Sequence, residues 1–293
     1  MSGRPQGSES SHAASLLGLH VAVLLFGFAG LFGKWLSLTP GVIVLGRTLV
    51  ASIALGILLR LTGERRGSFE WRLGVNGGVL ALHWVSFFQA IQVATVAVAL
   101  LGFASFPLFV LLLETTMLRR RLRVGEWATA ALVTAGLVLL VPEFRLENRT
   151  VQGLLWGLVS GFTFALLAVC NKTLAGRRSA GQIAFWQNAC AALCLLPAFA
   201  LAPVVPDARS LALLVALGVF CTALAHTLFI RSLCTLSAHT ASIVAALEPV
   251  YGIALAFVLL GEVPPARTLA GGALIVGAAM LGTVRASRQR SPG

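Results

Sequence analysis

Ten apolar runs follow one another along this chain, at about 15–37, 39–60, 72–93, 95–118, 125–142, 152–174, 180–202, 209–231, 237–260 and 267–284. A helix crosses a hydrocarbon layer of about 30 Å with roughly 20 residues, and in hydrocarbon every backbone N–H and C=O must be satisfied within the segment itself. The pattern therefore predicts an all-α membrane protein of ten transmembrane helices. Only 11% of the 293 residues are charged, against about a quarter in a soluble domain. The longest connection, E-F-R-L-E-N-R-T before residue 151, is too short to house a catalytic domain. The chain has no G-x-S-x-G, H-E-x-x-H or G-x-x-x-x-G-K-[ST], so it offers no catalytic residues and no metal or phosphate motif. Cys170, Cys190, Cys194, Cys221 and Cys234 sit in or beside apolar runs without metal-ligand spacing and read as thiols acting as small hydrophobes.

The net charge of +12 could suggest nucleic acid, but its distribution argues for topology instead. With the N-terminus placed in the cytoplasm, Arg4, Arg60, Arg65, Arg66, Arg72, Arg119, Arg120, Arg121, Arg123, Lys172, Arg177, Arg178, Arg231, Arg285, Arg288 and Arg290 fall inside. Lys34, Arg145, Arg149, Arg209 and Arg267 fall outside, and Arg47 lies within a span. This bias is the positive-inside pattern, and it puts both termini in the cytoplasm. The R-R-R-L-R cluster at 119–123 reads as a topology determinant near anionic headgroups. The polar residues 1–14 are expected to be disordered. The apolar run after them is longer than a cleavable signal allows, so it should remain as the first span. N-R-T at 148–150 matches a glycosylation sequon, but the loop lies too close to the membrane for that reading.

A weak internal repeat organises the spans. At an offset of 142 residues, ATVAVALLGFASFPLFVLLL (94–113) lies over LSAHTASIVAALEPVYGIAL (236–255), and Pro107 meets Pro249. Similar offsets pair HVAVLLFGFAGL with WGLVSGFTFALL and TAGLVLL with IVGAAML. Five spans per half is an odd number, so the halves should insert with opposite polarity. That predicts two inverted five-helix repeats, at 15–142 and 151–284, joined by an external linker at 143–150 and followed by a cytoplasmic tail at 285–293. Inverted repeats are typical of secondary transporters, whose sites lie near the bilayer midplane between the halves.

The string SAHTASIVAALEPVYGIALAFVLLGE (237–262), with E-P-V at 248–250 and G-E at 261–262, resembles the drug/metabolite transporter superfamily and, within it, the EamA family. The likeness covers about residues 16–284. It implies a transporter, usually an exporter, with no enzymatic cofactor. The first half departs from the pattern: F-P-L at 106–108 has no carboxylate, and M-L-R-R-R-L at 117–122 replaces G-E.

An ionisable group inside a span is a functional-site hypothesis in its own right. Thr240, Val244, Glu248, Tyr251 and Leu255 share one face at helical spacing, and Pro249 should bend the helix there. Pro107 and Pro249 are the candidate hinges. Glu248 could hold a substrate ammonium or a proton, or could form a structural ion pair with Arg47. Arg47 could snorkel outward, or hold a substrate carboxylate through its planar fork. Gln187 and Asn188 occupy the related place in the second half. In the third span, Trp84, Phe87, Phe88 and Ile91 form an apolar stripe read as packing or lipid-facing. His83 and Ser86, continuing from Asn76, form the polar stripe expected to face a cavity. His226 lies in the matching region, and Arg231 beside it suits snorkelling. Two further stripes, His20 to Lys34 and Trp156, Ser160, Thr163, Leu167, Asn171, should face one cavity, although Trp156 equally suits an interfacial anchor. Gly153, Gly157 and Gly161 suit close helix packing.

The function expected from these residues is secondary export of small amphipathic metabolites from a prokaryotic cytoplasm across the inner membrane, by alternating access. Amino acids, hydrophobic or aromatic ones foremost, are the expected substrates. The partners are then the substrate and the lipid bilayer, with no nucleic acid, and a monomer suffices to form the pathway. The alternatives are a multidrug or cationic-metabolite exporter and, in another class, a scaffold or receptor that moves nothing.

Overall fold

A computed structural model describes residues 6–118, 124–140, 145–201 and 204–288. The R-R-R-L-R cluster at 119–123 lies outside these residues, as do 141–144. The helices are α1 (Gln6–Trp35), α2 (Pro40–Leu61), α3 (Trp71–Val93), α4 (Val96–Phe103), α5 (Phe106–Leu118), α6 (Val124–Leu140), α7 (Arg149–Leu174) and α8 (Ala180–Leu201). After them come α9 (Ala208–Gly218), a π-helical segment at Val219–Leu224, α10 (Ala225–Ser232), α11 (Ala238–Ala245), α12 (Glu248–Leu260) and α13 (Ala266–Arg288). No strand occurs among the described residues; an isolated bridge joins Ala175 and Arg178. α1 starts at Gln6, within the polar lead. Once the apolar span has nucleated a helix, extending its ladder by a turn or two into Glu, Ser, His and Ala needs little further stabilisation.

Five stretches among the described residues are long and apolar enough to cross a membrane: His12–Trp35, Pro40–Leu61, Val96–Thr116, Arg149–Leu174 and Ala208–Ser232. Three shorter apolar helices, Trp127–Leu140, Glu248–Leu260 and Ala266–Ala278, accompany them. In α3 the apolar character is diluted by Asn76, His83, Gln89 and Gln92. The surface carries Leu17, Ile53, Leu61, Trp71 and Val258, whereas Arg47, His83, Asn171, Gln187, Asn188, His226 and Glu248 are buried. An apolar outside around a partly polar inside is unstable in water and suits a bilayer.

Local signals set the helix ends. Pro40 opens α2, Asp207 Oδ1 caps α9 by accepting from Ser210 N at 2.8 Å, and Gly261, at φ 67°, closes α12. Asn148 Oδ1 accepts from Thr150 N at 2.8 Å, so the asparagine of the N-R-T sequon caps α7. Two breaks stand in register at the offset of the sequence repeat. Val96 and Ala238 open helices of 8 residues, Phe106 and Glu248 open helices of 13 residues, and each pair of starts lies 142 residues apart. Pro107 and Pro249 therefore fall in the first turn of α5 and α12, where a missing N–H leaves no hydrogen bond unmade. This corrects the expected proline bend: the chain breaks just before each proline, at 104–105 and 246–247, and the proline starts the next helix.

Packing pairs the halves. α3 lies on α7 and α10 on α1; α4 lies on α7 and α12 on α1; α2 lies on α8, and α6 on α13. Where backbones nearly touch, glycine is required. A Cβ on Gly27 of α1 would lie 3.0 Å from Gly252 N and 3.1 Å from Glu248 O, and one on Gly157 of α7 would lie 3.0 Å from Gly102 Cα of α4. Such small-residue crossings supply van der Waals contact where lipid tails remove the hydrophobic drive.

Candidate functional site

Among the described residues Arg47 is one of the largest fully buried side chains, 1% exposed, so it does not snorkel. Its Nε donates to Thr222 Oγ1 at 2.8 Å, and its Nη2 donates to Cys221 O at 3.0 Å. Both acceptors belong to the π segment, whose wider turn shifts carbonyls off the α-helical ladder; Thr222 Oγ1 donates in turn to Leu217 O at 2.8 Å. The guanidinium carbon stands 4.1 Å from the Trp84 ring centre and 5.4 Å from that of Phe88. Two hydrogen bonds and an aromatic face thus hold the cation without a carboxylate partner.

Around it lies a cavity lined by Phe26, Ala29, Arg47, His83, Trp84, Phe87, Phe103, Phe164, His226 and Glu248. It leaves about 20 Å³ of room for water centres, enough for one or two waters, so the site is contracted in this conformation. α12 positions Glu248 at its own first turn, where the unpaired N–H groups and the helix dipole favour a negative charge. Glu248 and Arg47 share the cavity without an ion pair within 4.0 Å, which corrects the expected structural pair. Glu248 Oε2 and His226 Nε2 are buried and have no hydrogen-bond partner among the described residues. His83 Nδ1 lies 3.0 Å from Ser160 O, which can only accept, so Nδ1 carries the hydrogen. Ser160 Oγ also lies 3.0 Å from that nitrogen.

The structure brings together only part of the expected set. Arg47, His83, His226 and Glu248 line the cavity, and Ser160 holds His83. Of the two readings of the apolar stripe, packing holds: Trp84, Phe87, Phe88 and Ile91 are all buried in the main core, and Trp84 and Phe87 also form part of the cavity wall. Ser86 bonds to Leu82 O and His83 O of its own helix, and Thr163 to Val159 O and Ser160 O. A membrane hydroxyl satisfies itself on its own helix when no better partner is near. Asn171 Oδ1 accepts from Gln187 Nε2 at 2.5 Å in a buried pair away from the cavity lining. Thr240 is not among the residues lining the cavity; its N–H donates to Ser237 Oγ at 3.0 Å at the start of α11. His20 and Tyr251 are half-buried and Trp156 is 39% exposed, so none of the three lines the cavity, and the stripe of Trp156 does not face it as a whole. Sequence reasoning missed Phe26, Phe103 and Phe164, and it missed Thr222, whose role depends on a π turn that no local motif announces.

Two lysines fasten the turns that precede the broken spans. Lys34 Nζ donates to Ala94 O at 2.9 Å, next to Val96 N, which donates to Glu262 Oε2 at 3.1 Å. Lys172 Nζ donates to Leu233 O at 2.6 Å and to Leu236 O at 2.8 Å. A separate apolar groove of about 660 Å³ beside α12 and α13 has Thr268 as its one polar lining residue.

Comparison with known proteins gives this geometry a family. The model of the EamA-like transporter family matches residues 13–141 and again 151–284. The chain is 28% identical over 244 residues to the pseudopaline exporter CntI of Pseudomonas aeruginosa, covering 82% of this chain and 84% of that one. It is 22% identical to the "Uncharacterized transporter YxxF" of Bacillus subtilis, over 96% of this chain and 93% of that one. It is 27% identical to the "Probable terminal-alkyne amino-acid exporter" of Streptantibioticus cattleyicolor, over 81% and 82%. A solved crystal structure, 22% identical, superposes with a TM-score of 0.72 over 95% of this chain and 99% of its own, and shares the fold.

Proposed function

The chain belongs to the EamA-like transporter family, and from that premise we propose that it exports small amphipathic metabolites by alternating access, apolar and aromatic amino acids first among them. The observation that carries this reading is one buried cavity holding an arginine fixed in place and a carboxylate with a free oxygen, between aromatic walls. A zwitterion matches it: the carboxylate lies toward Arg47, the ammonium toward Glu248, and an apolar side chain against Phe26, Phe103 and Phe164. Charged hydrogen bonds in so buried a site are strong.

The proposed pathway has ten spans, with α4–α5, α9–α10 and α11–α12 each crossing as one. Residues 15–142 and 151–284 form inverted halves, and both termini face the cytoplasm of a bacterial cell. The twofold family match, the shared offset of 142 residues between the broken spans, and the paired helix contacts all support this architecture. Such halves exchange conformations at similar energy. The breaks before Pro107 and Pro249 serve as hinges, and the contracted cavity lies between an outward-open and an inward-open state. The name of one relative mentions an amino acid, which favours that substrate class.

The test is counterflow of labelled phenylalanine into liposomes holding the purified protein. Accumulation that unlabelled phenylalanine on the inside drives, absent from protein-free liposomes, is the expected result; no accumulation for phenylalanine, leucine or tryptophan overturns the amino-acid reading. The aromatic walls and free Glu248 oxygen also suit an organic cation, and movement of a lipophilic cation in place of every amino acid would favour that substrate. Movement of neither would favour a scaffold or receptor.

A further inference from the structure

His226 lies 143 residues after His83, and both imidazoles line the cavity, yet their hydrogen-bond partners give them opposite characters. Asn188 Nδ2 donates to Ala184 O at 2.8 Å. That bond fixes the orientation of the amide, because the reverse orientation would set two acceptors against each other. The same Nδ2 lies 3.5 Å from His226 Nδ1. An amide nitrogen can only donate, so Nδ1 accepts, the ring is neutral, and the hydrogen sits on Nε2. Nε2 is buried and unpartnered among the described residues, in a side chain 1% exposed. His83 has the reverse tautomer, with its hydrogen on Nδ1 toward Ser160 O.

Trp84 ties His226 to Arg47. One face of its indole carries the guanidinium at 4.1 Å, and its ring meets that of His226 at 5.8 Å between centres with planes 72° apart. Two donors, one charged and one neutral, therefore flank a single aromatic ring. Glu248 Oε2 is an acceptor without a donor in the same cavity.

Resting on the amino-acid reading above, we propose that His226 is a specificity-determining residue. As the Nε2–H tautomer imposed by Asn188, it donates to the substrate carboxylate beside Arg47, so the cavity selects molecules that carry a free carboxylate as well as a free ammonium. The role of Asn188 is to position that hydrogen. An imidazole with the hydrogen on Nδ1 would present a lone pair to the carboxylate and repel it.

The test uses the full-length protein in liposomes. Inhibition of phenylalanine counterflow is compared for unlabelled phenylalanine, 2-phenylethylamine, which lacks the carboxylate, and N-acetylphenylalanine, which lacks the ammonium. Wild type should prefer phenylalanine to either analogue by about tenfold to hundredfold, the weight of a hydrogen bond to a charged group. In His226→Phe the preference over 2-phenylethylamine should fall by about tenfold, whereas His226→Gln, which keeps a donor, should stay within about threefold of wild type. Asn188→Asp turns the neighbour of Nδ1 into an acceptor, moves the hydrogen to Nδ1, and should also collapse the preference. Nitrogen-15 spectra of labelled histidine read the tautomer directly, whether or not the variants transport: Nε2–H in wild type, Nδ1–H in Asn188→Asp. Hydrogen on Nδ1 of wild-type His226, or an unchanged preference in His226→Phe, overturns the inference and leaves amino-acid export standing. Wild type that moves no amino acid overturns both.

Discussion

At the scale of the residue, the site depends on how a bilayer protein tolerates charge. Arg47 is held by Thr222 Oγ1, Cys221 O and the Trp84 face, and Glu248 lies in the first turn of α12; the two share the cavity without an ion pair within 4.0 Å. Glu248→Gln keeps the shape and removes the charge, so phenylalanine counterflow should fall by about tenfold or more while the melting temperature stays within a few degrees. A large loss of thermal stability with normal flux in the surviving protein would make Glu248 a structural strut instead. Arg47→Lys keeps the charge but loses the fork, which is no conservative change at a stacked site with two hydrogen bonds. Its apparent affinity for phenylalanine should weaken by about tenfold, read as a raised half-saturation concentration in counterflow. The carboxylate and the arginine were legible in the sequence because charges stand out in apolar runs. The partners were not, since Thr222, Phe103 and Phe164 differ in nothing local from neighbours that only pack.

The elements show a similar division. The two broken spans could be anticipated from the matching prolines, but the place of each break could not: proline at the first turn of a helix and proline inside one look alike until the preceding turn is known. The π segment had no signal in the sequence; its Cys221 O and Thr222 Oγ1 accept from Arg47 of α2. Close crossings were partly legible, through glycines four apart in α7. Gly252→Val would thrust side-chain atoms at Gly27 O, 3.2 Å from the glycine's own missing Cβ, and should destabilise the fold by about 1–3 kcal/mol, seen as a lowered melting temperature in detergent. Gly41→Val meets nothing within 4 Å and should leave that temperature unchanged. Lys172 joins α7 to the turn after α10 by two carbonyl contacts. In Lys172→Met, hydrogen exchange across residues 233–237 should quicken by about tenfold; unchanged exchange would show that the lysine does not fasten this turn.

For the molecule as a whole, the apolar runs gave the membrane reading before any contact was known, and the family model matches residues 13–141 and 151–284. The internal offset of 142 residues also announced how unequal its two segments are: Phe106 stands where the later segment has Glu248, so the proposed repeat carries an asymmetric site. The central claim is that the cavity around Arg47 and Glu248 is the route of transport, opening to one side at a time. The most direct measurement replaces Ala29, buried in the cavity wall, with the sole cysteine of a chain freed of its five native ones, and labels it with an impermeant maleimide from either face. Labelling from both faces, with rates that phenylalanine shifts, is the predicted result; a cysteine that neither face can reach in a transporting protein would contradict the account.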